Sequence, residues 1–196
     1  MLFQFRILVF ILLLVPACLK AQEYNQRIAN RASGGFQGEL GVPTQYLRPG
    51  WHRYWLTVAG GSIYFPIYKS QSFFNIGMEF YPNVATGMKG PYREWEVGLN
   101  VRLNFNFSLS DRDLIAFKAA SGPHYITVEA NRQADGFVFS DYFLLSYKRG
   151  FPLSKDNHLY FEMYTGLRHV SSAGINMPTD GINNWIIGIG IGKFLY

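Results

Sequence analysis

The longest regular pattern in the chain runs from Glu94 to Phe107, where Trp95, Val97, Leu99, Val101, Leu103, Phe105 and Phe107 alternate with Glu94, Glu96, Gly98, Asn100, Arg102, Asn104 and Asn106. Successive side chains of an extended strand point to opposite faces, so this stretch predicts a strand with one apolar and one polar face. The alternation returns where Phe74, Ile76, Met78 and Phe80 stand against Asn75, Gly77, Glu79 and Tyr81. Eight such segments are expected, at about 35–42, 53–68, 72–81, 94–107, 113–128, 136–149, 158–171 and 183–196. The second should carry a bulge or break, because Ala59, Gly60, Gly61 and Pro66 interrupt it.

A soluble sheet hides its apolar face in a core, whereas a transmembrane barrel turns that face outward and keeps a polar lumen. The apolar faces here are long and aromatic, and eight is the smallest common strand number for such barrels. The chain also ends on aromatics, Phe194 and Tyr196, as outer-membrane barrel strands commonly do. After residue 21 no apolar run approaches the roughly 20 residues of a membrane helix. The expected fold is therefore all-β, an eight-stranded antiparallel transmembrane β-barrel, with a soluble lipocalin-like barrel as the alternative. Short connections after segments 2, 4 and 6, against longer ones such as 82–93 and 172–182, set the orientation. They put the end of the seventh segment and the start of the eighth at the outer rim.

The ends and the charge refine this picture. Arg6, the apolar run Ile7 to Val15 and the exit Leu19-Lys20-Ala21 predict a signal peptide over 1–21, leaving 22–196 as one domain. Cys18, the sole cysteine, falls inside that signal, so no disulfide or thiol chemistry is expected of the mature chain. A lipidated Cys18 is the competing reading, with Pro16 weighing against it. Removing Arg6 and Lys20 leaves 18 − 2 = 16 basic residues against 13 acidic ones. A balance of about +3 is too mild to point to nucleic acid.

Chemistry concentrates between Leu159 and Asn183. Leu159, Phe161, Met163, Thr165, Leu167, His169 and Ser171 share one parity, so an apolar face ends in a histidine and a serine about 7 Å apart at Cα. In the last segment Asn183 shares its face with Trp185, Ile187, Ile189 and Ile191. All three polar groups would then lie on the lipid-facing wall, where an unsatisfied polar group costs a few kcal/mol. Tolerated polar residues of an interfacial belt are the bland explanation. A serine hydroxyl becomes a nucleophile when a base takes its proton and a third group fixes the base's tautomer. A nucleophile facing lipid at outer-leaflet depth points to an acyl ester of a lipid, and in a Gram-negative outer membrane that leaflet is lipopolysaccharide.

The run G-L-R-H-V-S-S-A-G-I-N-M-P-T-D-G-I-N, residues 166–183, resembles the lipid A deacylases of the PagL type, whose pattern is approximately R-H-x-S-N-A-x-I-x-x-P-N-x-G-I-E or N. The resemblance implies an outer-membrane serine hydrolase that removes an ester-linked acyl chain from lipid A without a cofactor. It also implies His169 as base, Ser171 as nucleophile and Asn183 as the third member. Pro178 and Gly181 keep the pattern, whereas Asn183 replaces the acid of the best-known members. Ser172 and Thr179 stand where the pattern usually has Asn, so oxyanion donors are sought at Ser172, Ala173, Gly174 and Thr179. A non-catalytic structural barrel, with the altered positions recording lost activity, is the rival function.

Other candidates are weaker. Gly188 to Lys193, G-I-G-I-G-K, lacks the context of a phosphate loop and reads as lumen-facing glycine beside bulky neighbours. His52, His124 and His158 lack metal-ligand spacing. Glu162 has the wrong parity to serve His169, and Asp180 is a substitute acid only if its loop folds back. Arg168, Lys89, Arg93 and Arg132 are candidates for lipid phosphates at the rim, though ordinary solvated charge explains them equally well.

Overall fold

A computed structural model describes residues 28, 30–44, 54–68, 73–89, 92–110, 112–127, 136–152, 158–171 and 181–195. Its strands are β1 (Ser33–Pro43), β2 (Tyr54–Tyr68), β3 (Phe74–Lys89), β4 (Tyr92–Ser108), β5 (Asp113–Ser121), β6 (Pro123–Ile126), β7 (Gly136–Pro152), β8 (His158–Ser171) and β9 (Ile182–Phe194). Each pairs antiparallel with its neighbours, and β1 pairs with both β2 and β9, so the sheet closes. The short β5 and β6 are two halves of one stave. Val101 faces Ser121 before the break and Gly98 faces His124 after it, so the register against β4 is unchanged and no residue is inserted. Pro123 has no N–H to give the ladder, which accounts for the lapse. Eight staves result, as expected.

One expectation about the strands needs correction, and another is met. The third was to end near residue 81, with a long loop over 82–93. Instead β3 continues to Lys89 and meets β4 across residues 90–91. Alternation simply carries on past Pro82, with Asn83, Ala85 and Gly87 inward and Val84, Thr86 and Met88 outward. Pro82 still sits opposite Leu99 of β4, while pairing toward β2 lapses between Gly60↔Asn83 and Ile63↔Phe80. The irregularity expected in β2 falls at Pro66–Tyr68, where the register shifts, and Gly60 and Gly61 stay paired with β1. The remaining longer connections, 44–53, 127–135 and 172–181, lie at one end of the barrel, and 69–73, 109–112 and 153–157 lie at the other.

Inside and outside are inverted relative to a soluble protein. Phe36 is 75% exposed, Phe143 70% and Ile191 62%, whereas Arg102, Arg168 and Glu96 are at most 1% exposed. Outward Trp55, Trp95, Tyr125, Phe137 and Trp185 ring the long-loop end, and Tyr68, Phe73 and Phe151 mark the other. Such girdles flank the apolar band of membrane barrels, where amphipathic rings sit at headgroup level.

The lumen is filled by ion pairs that balance. Arg102 meets Glu39 at 2.8 Å and Glu79 at 3.6 Å, and Lys118 bridges Glu79 at 2.9 Å and Glu162 at 2.7 Å. The Arg102 guanidinium also lies 3.6 Å from the centre of the Tyr81 ring. Nearer the long-loop end Arg168 pairs with Glu96, which also accepts a hydrogen bond of 2.9 Å from Tyr54. A buried charge is tolerable only when paired and hydrogen-bonded. Arg168→Met would strip Glu96 of its guanidinium, and about 3–5 kcal/mol of stability is the expected loss. A lower temperature for the loss of folded gel migration checks it. The lumen also settles Gly188, where an added Cβ would stand 2.3 Å from the Tyr164 ring. That glycine makes room for an aromatic and cradles no phosphate.

Candidate active site

Strand β8 carries two layers of side chains at its long-loop end. Outward-facing His169 lies directly opposite Asn183 on β9 and Asp141 on β7. One step further out, Ser171 ends β8 on the same face, opposite Phe139, and it is half-buried. One step further in, Leu167 faces Trp185, so the histidine sits just outward of the tryptophan girdle. This is the depth at which lipid acyl chains meet their headgroups.

His169 Nδ1 lies 2.8 Å from Asn183 Oδ1. An amide oxygen can only accept, so Nδ1 carries a proton, and in the neutral ring the lone pair is on Nε2. Thr44, just beyond β1, donates through its backbone N–H at 3.3 Å and its hydroxyl at 3.2 Å to the Asn183 carbonyl, tying that residue's backbone down. Among the described residues no hydrogen bond joins Ser171 Oγ to the ring. Catalytic pairs are often longer than hydrogen-bond distance until substrate is in place.

Gly181 shapes the other edge of the imidazole. Its φ of +71° favours glycine, and a Cβ there would stand 2.4 Å from His169 Cε1, 2.7 Å from the Val170 carbonyl oxygen and 3.1 Å from Nε2. Gly181→Ala is therefore expected to displace the ring. A misplacement of roughly 1 Å costs about 10²-fold in rate. Deacylation assays on a variant that keeps its folded gel migration check this.

Behind the wall stands a second layer. Arg168, suggested by the sequence as a contact for lipid phosphate, instead points into the lumen and is fully buried. Its even parity places it on the inner face with Glu162. There Arg168 Nε donates to Ser140 Oγ at 3.0 Å, its other nitrogens reach Asn184 Oδ1 and Glu96, and Asn184 Nδ2 donates to the Tyr54 carbonyl at 2.8 Å. Ser140, Arg168 and Asn184 are the chain neighbours of Asp141, His169 and Asn183. The inner layer thus locks the register of the three strands that present the outer one.

The remaining candidates separate. Ser172, Ala173, Gly174, Pro178, Thr179 and Asp180 lie outside the described residues, as do His52, Arg132 and the signal segment 1–21. The side chains of Lys89 and His158 are likewise not described, and Arg93 is exposed near the long-loop rim. His124 is buried in the lumen, its Nε2 2.9 Å from Asn100 Oδ1. Glu162 is fully buried among Lys118 and Lys148 on the inner face, away from His169. Asp141 was passed over in the sequence, although its odd parity among Phe137, Phe139, Phe143 and Leu145 marks an ionisable group on a lipid-facing wall.

A closed barrel with an apolar exterior, and with a histidine, an amide and a serine gathered on that exterior at headgroup depth, is a membrane-barrel enzyme scaffold. A family model described as lipid A 3-O-deacylase (PagL) matches residues 25–191, and the chain belongs to that family. It is an ester hydrolase of the outer membrane whose substrate is lipid A, which displaces the inert-barrel reading. Among solved structures, one titled "Crystal structure of the outer membrane enzyme PagL" matches with a TM-score of 0.59 and 12% identity, over 81% of this chain and 97% of that one. At that identity the likeness is one of fold. No curated protein sequence matches the chain.

Proposed function

We propose that the protein hydrolyses the ester-linked acyl chain at the 3-O position of lipid A by a serine mechanism, with Ser171 as nucleophile, His169 as base and Asn183 as the residue that orients the base. Ser171 Oγ attacks the ester carbonyl while Nε2 of His169 takes its proton. The tetrahedral intermediate collapses, the sugar oxygen leaves with that proton, and an acyl-serine remains. Water then attacks, with His169 again as base, and releases the fatty acid. The developing oxyanion needs donors close to the nucleophile, worth about 2.7–4 kcal/mol each. The backbone N–H groups of Ser172, Ala173 and Gly174 and the Thr179 hydroxyl are assigned that role. We also infer that residues 1–21, Cys18 included, are removed as a signal peptide and that 22–196 form the single barrel domain.

The observation that carries this reading is the 2.8 Å contact of His169 Nδ1 with Asn183 Oδ1 on the outer wall, two residues from Ser171. It holds the proton of the neutral ring on Nδ1 and so puts the Nε2 lone pair on the edge of the imidazole away from Asn183. The test is expression in a Gram-negative host whose lipid A keeps its 3-O acyl chain, followed by mass spectrometry of the lipid A. Loss of one acyl chain is expected. An unchanged acyl pattern, with the folded barrel present in the outer membrane, contradicts the proposal.

A further inference from the structure

Asp141 is an acid on the outward, aromatic-rich face of the barrel, in the same row as His169. It lies on the outward face of β7 between Phe139 and Phe143, the latter 70% exposed, and it is itself half-buried. Among the described residues it has no ion-pair partner and no hydrogen bond. A half-buried carboxylate among aromatic side chains loses part of its hydration and is favoured there by a partner of opposite charge. The register supplies one candidate, because Asp141 pairs directly with His169. Residues directly opposite in antiparallel strands hold their Cβ atoms about 4.5–5.5 Å apart.

From this juxtaposition we propose that Asp141 is the counter-ion of His169, a positioning residue that stabilises the imidazolium formed during catalysis. The inference rests on the serine mechanism above. When Ser171 gives its proton to Nε2 the ring becomes a cation. Asn183 holds Nδ1–H but is neutral, so it orients the ring without offsetting its charge. Asp141 supplies the missing charge from the opposite strand. The ring is thus flanked by an amide that fixes its tautomer and a carboxylate that balances its charge, two tasks that a single acid performs in the Ser-His-Asp arrangement. The charges around His169 can be named strand by strand. From β7 it faces Asp141, and from β9 it faces the neutral Asn183. On its own strand Arg168 points into the lumen, where Glu96 neutralises it.

An opposite charge within ~4–6 Å shifts a protonation equilibrium by about 10- to 1000-fold toward the charged form. Asp141→Asn keeps size and hydrogen-bonding atoms while removing the charge. The imidazolium then becomes harder to form. Turnover is expected to fall at least tenfold, and the acidic limb of the pH profile of kcat/KM is expected to move to lower pH. Asp141→Glu, which keeps the charge, should leave the limb near its wild-type position.

The experiment uses purified full-length barrel in mixed micelles with lipid A, comparing wild type, Ser171→Ala, Asp141→Asn, Asp141→Glu and Asp180→Asn, each checked for folded gel migration. Asp141→Ser serves if the Asn variant does not fold. Lower turnover with a displaced acidic limb in the Asp141→Asn protein alone is the expected result. Unchanged turnover, a limb that stays in place, or a limb that moves with Asp180→Asn overturns the inference. A wild-type barrel that releases no fatty acid defeats the serine-hydrolase reading itself. Active wild type, inactive Ser171→Ala and unaffected Asp141→Asn defeat only the role given to Asp141.

Discussion

Ser171→Ala is expected to leave a folded, membrane-inserted barrel whose deacylation rate has fallen by about 10⁴- to 10⁶-fold, the loss seen when the nucleophile of a serine hydrolase is removed. Among the described residues, the neighbours of His169 on the outer wall offer no second hydroxyl. Phe139 and Phe143 flank Asp141 on β7, and Leu167 and Trp185 occupy the row below. The substitution removes one hydroxyl from the last residue of β8 and touches no lumen ion pair, so the melting temperature should match wild type. Fatty-acid release and the temperature dependence of gel migration, measured on the same preparation, check both halves.

Asn183→Ala carries the second large effect. It deletes the only acceptor that holds Nδ1 among the described residues, so the ring can rotate and can place its proton on Nε2, where it no longer serves as a base. Loss of the orienting group in a triad costs about 10²- to 10⁴-fold in turnover. Asn183 is assigned the ring and no contact with substrate, so KM should change little while kcat falls. The neighbouring Asn184 should keep the strand in place through its bonds to Arg168 and the Tyr54 carbonyl. If Asn183→Ala keeps full activity while Asp180→Ala loses it, the loop carboxylate is the third member instead.

Much of this architecture was legible because strand parity is a strict period of two. The inverted faces of β4, the placement of Asn183 beside Trp185 and the lumen position of Gly188 all follow from counting residues. Pro82 misled because a proline reads as a breaker, yet here it costs only a lapse in pairing toward β2 while the β4 ladder persists. The sequence offers Arg168 as a candidate for lipid phosphate or for solvated charge, both against its parity, and its counter-charge Glu96 lies three staves away around the barrel, beyond any local pattern. Asp141 stood on the correct face, but its partner depends on the register across the turn at 153–157, which sequence does not encode locally. Gly181 matched a motif, while the reason for it, the approach of the imidazole edge, exists only in three dimensions.

The most direct test of the central claim is to treat the folded wild-type barrel in detergent with a serine-reactive alkyl phosphonate and map the adduct by peptide mass spectrometry. The predicted result is one adduct, on Ser171, formed at a rate that collapses in His169→Ala and leaves the protein unable to release fatty acid from lipid A. An active barrel that takes up no phosphonate, or takes it up at another residue with loss of activity, would contradict the assignment of Ser171 as a nucleophile activated by His169.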